Sequence, residues 1–495
     1  MQTIAPVCAY LLLSERSFFG VPRNQNEHAG KRQQRKIYFM TKAVLLWLRN
    51  DLRIGDNPAL RAAIEAGAKV QALYVHETDR GLRPRGGASR WWLHHSLNAL
   101  AHDLKRLGIG LEVVEGESGK LVPERAKGVA AVFWNRRYGP AEREHDAAIK
   151  ERLKRDGIEG KSCPGNVLVE PFDIATKTGN PYSVYTPFWQ ALKLRDIPAP
   201  LPRPRGHDVE SIAKVDGDYR EPAWGKKLGA HWTIGEDAAR ERLETFLDEL
   251  VGSYPEGRDI PARQATSRLS PHLAFGEISA RQVWHAAMAL AHAEPLKAEA
   301  ATKFLSELAW RDFNHHQLYH REDIARVPMV EKYGRLEWRQ DTAGFHRWTK
   351  GMTGIPIVDA GMRELWETGF MENRVRMLTA SLLAKNLLVD WHKGEEWFWD
   401  ALLDADAANN PGNWQWVAGS GLDASPYFRI FNPVTQGEKF DGSGDYVRRW
   451  VPEVRDLPDS LVHKPWESGG VKGYPAPIVD LKATRERALE AFKAL

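Results

Sequence analysis

Four short runs rich in β-branched and aromatic residues, AVLLWLR, KVQALYVH, LEVVEG and VAAVFWN, alternate between residues 43 and about 170 with helical periodicities at 57–66, 89–107 and 140–156. This alternation constrains the fold more than anything else in the chain. A helix between two strands returns the chain so that the strands run parallel, and a parallel sheet is covered by helices on both faces. The pattern predicts a doubly wound, Rossmann-like α/β domain over 40–170, with any ligand at the carboxyl ends of its strands. The first run is followed by RNDLRIGDNP, which contains no G-x-G-x-x-G, so a standard NAD domain is excluded.

The composition changes after residue 170. Residues 171–235 are rich in Pro, Gly and charge, as in DIPAPLPRPRGHD, and read as an inter-domain linker. From 236 to 495 apolar residues recur at helical spacing, most clearly in EDAARERLETFLDEL and MENRVRMLTASLLAKNLLVDWH, which predicts an all-helical second domain. Residues 1–39 lack the basic start of a secretory signal, turn polar and aperiodic, and are expected to be a disordered extension ahead of Met40.

Two cysteines, Cys8 and Cys163, leave room for neither a disulfide framework nor a cysteine metal site, and no apolar run is long enough to cross a bilayer. A cytoplasmic monomer is expected. With a net charge of only +4, any nucleic-acid site must be a local patch. The histidine pairs at 94–95 and 315–316 have no third ligand at useful spacing, so no metal is expected. The anomaly is tryptophan: ten of the 19 fall between Trp284 and Trp416, which marks that region as the functional one.

The same region ends in DADAANNPGNWQW, residues 404–416. Buried polar groups without partners cost about 1–3 kcal/mol each, so these acids and amides predict something polar in the helical interior. Three other stretches can surround it. TSRLSPHLAFGEIS (266–279) sets two hydroxyls and an arginine before a helix opening at Pro271, an arrangement that suits a phosphate or a simple cap. Glu307, Trp310 and Arg311 share one face of a helix at i, i+3 and i+4, and Asn373, Arg376 and Met377 share another. Asp404, Asp406 and Asn410 are positioned to meet Arg376; a heterocycle with a phosphate tail would satisfy all these groups, whereas each set alone reads as a solvated ion-pair face.

Together, LLWLRNDLRIGDNPAL, TSRLSPHLAFGEIS, ELAWRDF, TGIPIVDAGMREL, NRVRML and ANNPGNWQWVAGSGLDASPYFRIFNPVTQGEKFD strongly resemble the DNA photolyase and cryptochrome family over about residues 43–455. The resemblance implies an N-terminal antenna domain, a helical domain holding folded FAD, and blue-light electron transfer to a cyclobutane pyrimidine dimer in DNA. It implies that Tyr254, Thr266, Ser267, Arg268, Leu269 and Ser270 hold the FAD phosphates and that Phe304, Glu307, Arg311 and Asn373 belong to the cofactor pocket. Arg376 and Asp404 would flank the isoalloxazine, Asp406 would meet its polar edge, and Asn410 would face N5. Plant cryptochromes carry aspartate at that last position, so Asn410 favours repair over the rival reading, a signalling photoreceptor.

Trp338, Trp391 and Trp414 match indoles that pass electrons to FAD, while Trp310 and Trp416 match those that stack on a flipped lesion. Glu307, Asn373 and Met377 complete the lesion pocket, and the lack of a histidine pair near Asn373 points away from the (6-4) photoproduct. Arg258, Arg374 and Arg429 match positions that hold the DNA backbone. The second chromophore is expected to be methenyltetrahydrofolate, with a deazaflavin as the alternative.

Overall fold

The computed structural model describes residues 42–206, 222–321, 323–423 and 429–495, so the expected extension 1–39 lies outside the described residues. The N-terminal half is built on β1 (Val44–Leu48), β2 (Val70–Glu77), β3 (Leu111–Gly116), β4 (Ala131–Asn135) and β5 (Glu159–Cys163). They form one parallel sheet in the order β3-β2-β1-β4-β5. β1 and β4 are buried along their whole length, which is why VLLWL and AVFWN read as unbroken apolar runs.

Successive residues of β1 point to opposite faces. Val44, Leu46 and Leu48 pack toward α1 (Pro58–Glu65) and α2 (Gly87–Arg106), and Leu45 and Trp47 pack toward α3 (Ser118–Arg125) and α4 (Pro140–Arg155). The sheet is therefore doubly wound. β5, with the sequence EGKSC, lies at an edge and carries no apolar run, so periodicity did not reveal it.

The stretch 171–235, expected to be a linker, contains helix α5 (Tyr185–Lys193). Its Tyr185, Phe188 and Leu192 are buried in one core with Phe304, Leu305, Leu308 and Phe313 of the helical half. The Pro-rich average of the segment hides this local apolar pattern, YTPFWQALK. Residues 207–221 lie outside the described residues.

The second half is helical, and no strand occurs in it among the described residues. Its principal helices are α6 (Glu236–Thr245), α7 (Ser270–Phe275), α8 (Ala280–Ala293), α9 (Ala298–His320), α10 (Pro356–Thr368), α11 (Asn373–Ser381), α12 (Trp391–Ala401), α13 (Asn409–Ala418) and α14 (Leu481–Lys493). Their ends follow local chemistry. Ser279 and Gln282 form a capping box on α8, and Pro356 opens α10.

The two halves share a core in which Trp92 of α2 packs with Phe275, Phe370 and Leu403. Arg53 donates to the Gly276 carbonyl at 2.8 Å, and the Glu236 carboxylate accepts from the Ile54 amide at 2.7 Å. Among the described residues no helix is long and apolar enough to cross a membrane.

Candidate functional site

α9, residues 266–270, the start of α11 and the segment from Asp404 into α13 enclose a cavity of about 490 Å³. Tyr254, Thr266, Ser267, Arg268, Leu269, Ser270, Phe304, Glu307, Arg311, Asn373, Arg376, Asp404, Asp406 and Asn410 all line it, as do Arg258, Trp310, Met377, Trp414 and Trp416. Trp338, Trp391, Arg374 and Arg429 are not among its lining residues. The volume falls within the range of small-molecule sites, roughly 300–1,000 Å³.

The acids and amides of 404–410 find most of their partners within the protein, where the sequence had pointed to a ligand. Asp404 receives two parallel bonds from Arg376, at 3.0 and 2.8 Å, while Arg376 Nε donates to the Met371 carbonyl at 2.6 Å. Asp406 accepts from the amides of Ala408 and Asn409 at 2.8 and 2.6 Å, which ties down the start of α13. The Asn409 side-chain oxygen accepts from Asn314 of α9 at 2.9 Å.

Asn410 donates from Nδ2 to the Glu395 carbonyl at 3.0 Å and to Glu395 Oε1 at 2.8 Å. A carbonyl and a carboxylate only accept, so they fix which end of the amide points at them. Both amide hydrogens are used on Glu395, and Oδ1 is left for the cavity. Glu395 is held in turn by Arg83, whose Nη1 and Nη2 reach its two oxygens at 2.7 Å each.

Glu307 is paired with Arg258 and, at 3.0 Å, with Lys303. Burial works against its charge, but the bond and charge of Arg258 outweigh it and hold the carboxyl below its usual range. Arg258 is correspondingly raised: burial opposes its charge, and Glu307 more than offsets it. Glu372 lines the cavity beside Arg268 and accepts from the Thr266 hydroxyl at 2.9 Å; burial raises its carboxyl. Arg268 itself adopts φ 50°, uncommon for a residue with a Cβ, and lays its guanidinium over Trp232 and Phe370. Burial and the Arg311 charge hold His315 down to about 4, so it is neutral near pH 7.

The indoles occupy two settings. Trp310 stacks on Tyr185 of α5 with centroids 3.7 Å apart and planes 9° apart. Trp414 and Trp391 are buried in one apolar cluster, against which Trp338 and Trp416 pack. Trp414 also meets the rings of Phe398 and Trp348 edge-on at 5.0 and 6.2 Å. Its indole lies so close over α12 that a Cβ on Gly394 would stand 2.2 Å from the ring. Trp391 carries the imidazole of His392 stacked at 3.8 Å.

Arg374 lies outside the cavity, bonded to Asp259 at 2.8 Å and stacked over Phe440, and Arg429 is exposed. Outside the cavity lining, Glu77, Asp79 and His145 have metal-like spacing. The Ser118 hydroxyl sits 2.7–2.9 Å from all three, and Arg137 pairs with Glu77, so the protein already answers these donors.

The cavity suits a flavin dinucleotide. Four arginines, Arg258, Arg268, Arg311 and Arg376, line it beside the apolar walls of Leu269, Phe304, Phe370 and Phe398, which gives cations for phosphates and a dry surface for a ring. Two family models match the chain, one described as DNA photolyase over residues 44–205 and one as the FAD binding domain of DNA photolyase over 304–494. A protein named deoxyribodipyrimidine photo-lyase from Agrobacterium fabrum is 46% identical over 92% of this chain and 98% of its own. The chain belongs to the DNA photolyase family.

Solved structures agree. A bacterial class III photolyase from Agrobacterium tumefaciens superposes with a TM-score of 0.86 at 46% identity, covering 92% of this chain and 97% of that one. An archaeal photolyase from Sulfolobus tokodaii, solved with two FAD molecules, gives 0.79 at 30% identity, covering 92% and 100%. Relatives of this similarity are named as lyases, and this family member is an enzyme of the same kind.

Sequence reasoning missed several residues around the cavity. Asn314 lies seven positions after Glu307 on the same face of α9, so extending the helical count would have found it. Glu395, Arg83 and Tyr185 carry no such local signal, because each meets its site across a long sequence separation.

Proposed function

We propose that this photolyase repairs cyclobutane pyrimidine dimers in DNA under blue light, with FAD in the cavity of the helical half. One observation carries the reading: the residues expected to hold FAD and those expected to hold the lesion line the same cavity. When bound and reduced, FAD would supply the photoexcited electron that opens the cyclobutane ring and would accept it back.

The protein's part is to hold, orient and exclude water. Thr266–Ser270, Arg268 among them, would take the phosphates, and the Arg376–Asp404 pair would flank the isoalloxazine. Asn410, held by Glu395, would offer its Oδ1 as an acceptor to a protonated ring nitrogen, which suits the reduced state. Trp310, backed by Tyr185, and Trp416 would stack on the flipped bases. A dimer pairs and stacks badly, so extruding it costs less than extruding a normal base.

Glu307 would hydrogen-bond the dimer's edge, with Arg258 keeping its charge until the substrate competes for it. Asn373 and Met377 would complete the wall. Arg258, Arg374 and Arg429 would contact phosphates without reading sequence. Trp338, Trp391 and Trp414 would carry electrons from the surface to reduce the cofactor; their shared apolar cluster supports this route.

For the second chromophore we take a methenyl folate. Trp366 is 41% exposed and stacks with Trp224 and Trp397, and Lys227, paired with Glu367 at 3.5 Å, lies over its ring at 4.4 Å. Such an aromatic surface supports a ring-bearing chromophore near it. The enzyme would act as a monomer on DNA in the cytoplasm.

The decisive assay incubates FAD-loaded protein with dimer-containing DNA in darkness and under blue light and counts the lesions. Loss of dimers in light alone is expected. Equal loss in both conditions, or none in either, overturns the reading.

A further inference from the structure

We infer that Arg83, a residue of the N-terminal domain, is a positioning residue for the cavity-facing amide Asn410. The inference rests on the cavity being a flavin site, and it deepens that reading.

Glu395 is 2% exposed and stands between the two residues. Its Oε1 is shared by Arg83 Nη1 at 2.7 Å and Asn410 Nδ2 at 2.8 Å, while Oε2 takes Arg83 Nη2 at 2.7 Å. Paired in this way the carboxylate has only acceptors to offer, and together with the Glu395 carbonyl, which accepts from the same amide at 3.0 Å, it turns the N–H groups of Asn410 to Glu395 and its oxygen to the cavity. Without Arg83 the carboxyl would lose, among the described residues, the cation within 4 Å of it. A buried carboxylate stripped of its partner takes up a proton or turns away. A protonated carboxyl carries an O–H donor, which can bind Asn410 Oδ1 and, against the Glu395 carbonyl's hold on Nδ2, let part of the amide population turn over. The amide would then show the cavity a donor, and a protonated flavin nitrogen would lose its acceptor.

The loop that carries Arg83 is bolted to the helix that carries Glu395. The Arg83 guanidinium lies 3.8 Å over the Trp399 ring, and Trp399 Nε1 donates to the Pro84 carbonyl at 2.8 Å. A Cβ on Gly86 would stand 1.9 Å from the Trp399 carbonyl oxygen, so only glycine allows this approach, and the Gly87 amide donates to Asp400 at 2.7 Å. Arg83 is thus held on α12 from several directions. The N-terminal domain shares in setting the hydrogen-bond polarity of the flavin pocket.

The test uses full-length protein loaded with FAD, reduced anaerobically, and followed by its blue absorption as air is admitted. FAD content is measured first. Arg83→Ala should retain FAD but reoxidise about fivefold faster or more, with the midpoint potential shifted negative, and Arg83→Lys should restore part of the difference. Glu395→Gln already presents a donor, so adding Arg83→Ala to it should change the rate less than about twofold. If Arg83→Ala fails to hold FAD, Arg83→Gln is read in its place. A rate equal to wild type in an FAD-loaded Arg83 variant, or effects of the two substitutions that multiply, overturns the inference. Wild-type protein that takes up no FAD defeats the underlying flavin reading instead.

Discussion

Replacing Arg376 by alanine tests whether the ion pair at the cavity wall is one energetic unit. The substitution removes three hydrogen bonds, two to Asp404 and one to the Met371 carbonyl. The Asp404 side chain, 7% exposed, is left without its cation. Breaking a buried pair by removing one member costs about 3–5 kcal/mol. The Arg376 side chain keeps 25% exposure, which lets water reach the gap and sets the expectation at the lower end, about 3 kcal/mol. For a domain of this size each kcal/mol is worth roughly 2–4 °C, so the melting temperature should fall by about 6–12 °C.

Scanning calorimetry on FAD-stripped protein reads this directly, and the flavin content of freshly loaded protein should fall with it. Asp404→Asn is the control that separates lost pairing from lost packing. In the Arg376→Ala background it replaces a stranded carboxylate by a neutral amide, so the double variant should be more stable than the sum of the singles by at least about 1.5 kcal/mol. Singles that add within about 0.5 kcal/mol would refute the argument that Arg376 holds Asp404.

Burial pushes the Glu364 carboxyl up to about 7, with the Tyr446 hydroxyl bond opposing the rise and Glu372 adding to it. The unfolded group titrates near 4.3, so across about pH 4.5 to 7 the folded state holds a proton that the unfolded state has lost, and stability falls as pH rises through that window. Glu364→Gln keeps an acceptor for Tyr446 and should flatten this fall by about 2 kcal/mol, read from melting curves between pH 5 and 8; parallel curves for the two proteins would rule the assignment out. Trp414→Phe should stop photoreduction of oxidised FAD, followed by absorbance under blue light, yet spare repair by protein reduced chemically. Photoreduction at the wild-type rate would exclude the proposed route. Glu307→Ala should lower the repair yield at least about tenfold with FAD content unchanged, and an unaltered yield would remove Glu307 from the lesion pocket.

Most of the architecture was legible because it rests on local periodicity. The runs VLLWL and AVFWN are apolar throughout since both faces of their strands are covered, and Glu307, Trp310 and Arg311 share a face because helical spacing puts them there. What escaped lacks that signature. β5 is a polar edge strand, and α5 hides in a Pro-rich stretch while supplying the ring beneath Trp310.

The segment 404–416 shows where the boundary lies. That its acids and amides needed partners followed from the cost of burying them. Which partners they have did not, since Asp404 meets Arg376 across 28 residues and Glu395 meets Arg83 across 312. Asn410 is the sharpest case. An amide can donate at one end and accept at the other, so its identity leaves the polarity of the pocket undecided. The polarity follows from the Glu395 carbonyl and carboxylate behind it, and the carboxylate is held by an arginine from the other domain. The chemistry of the site is therefore written partly outside the residues that touch it, in contacts that exist only once the two halves have docked.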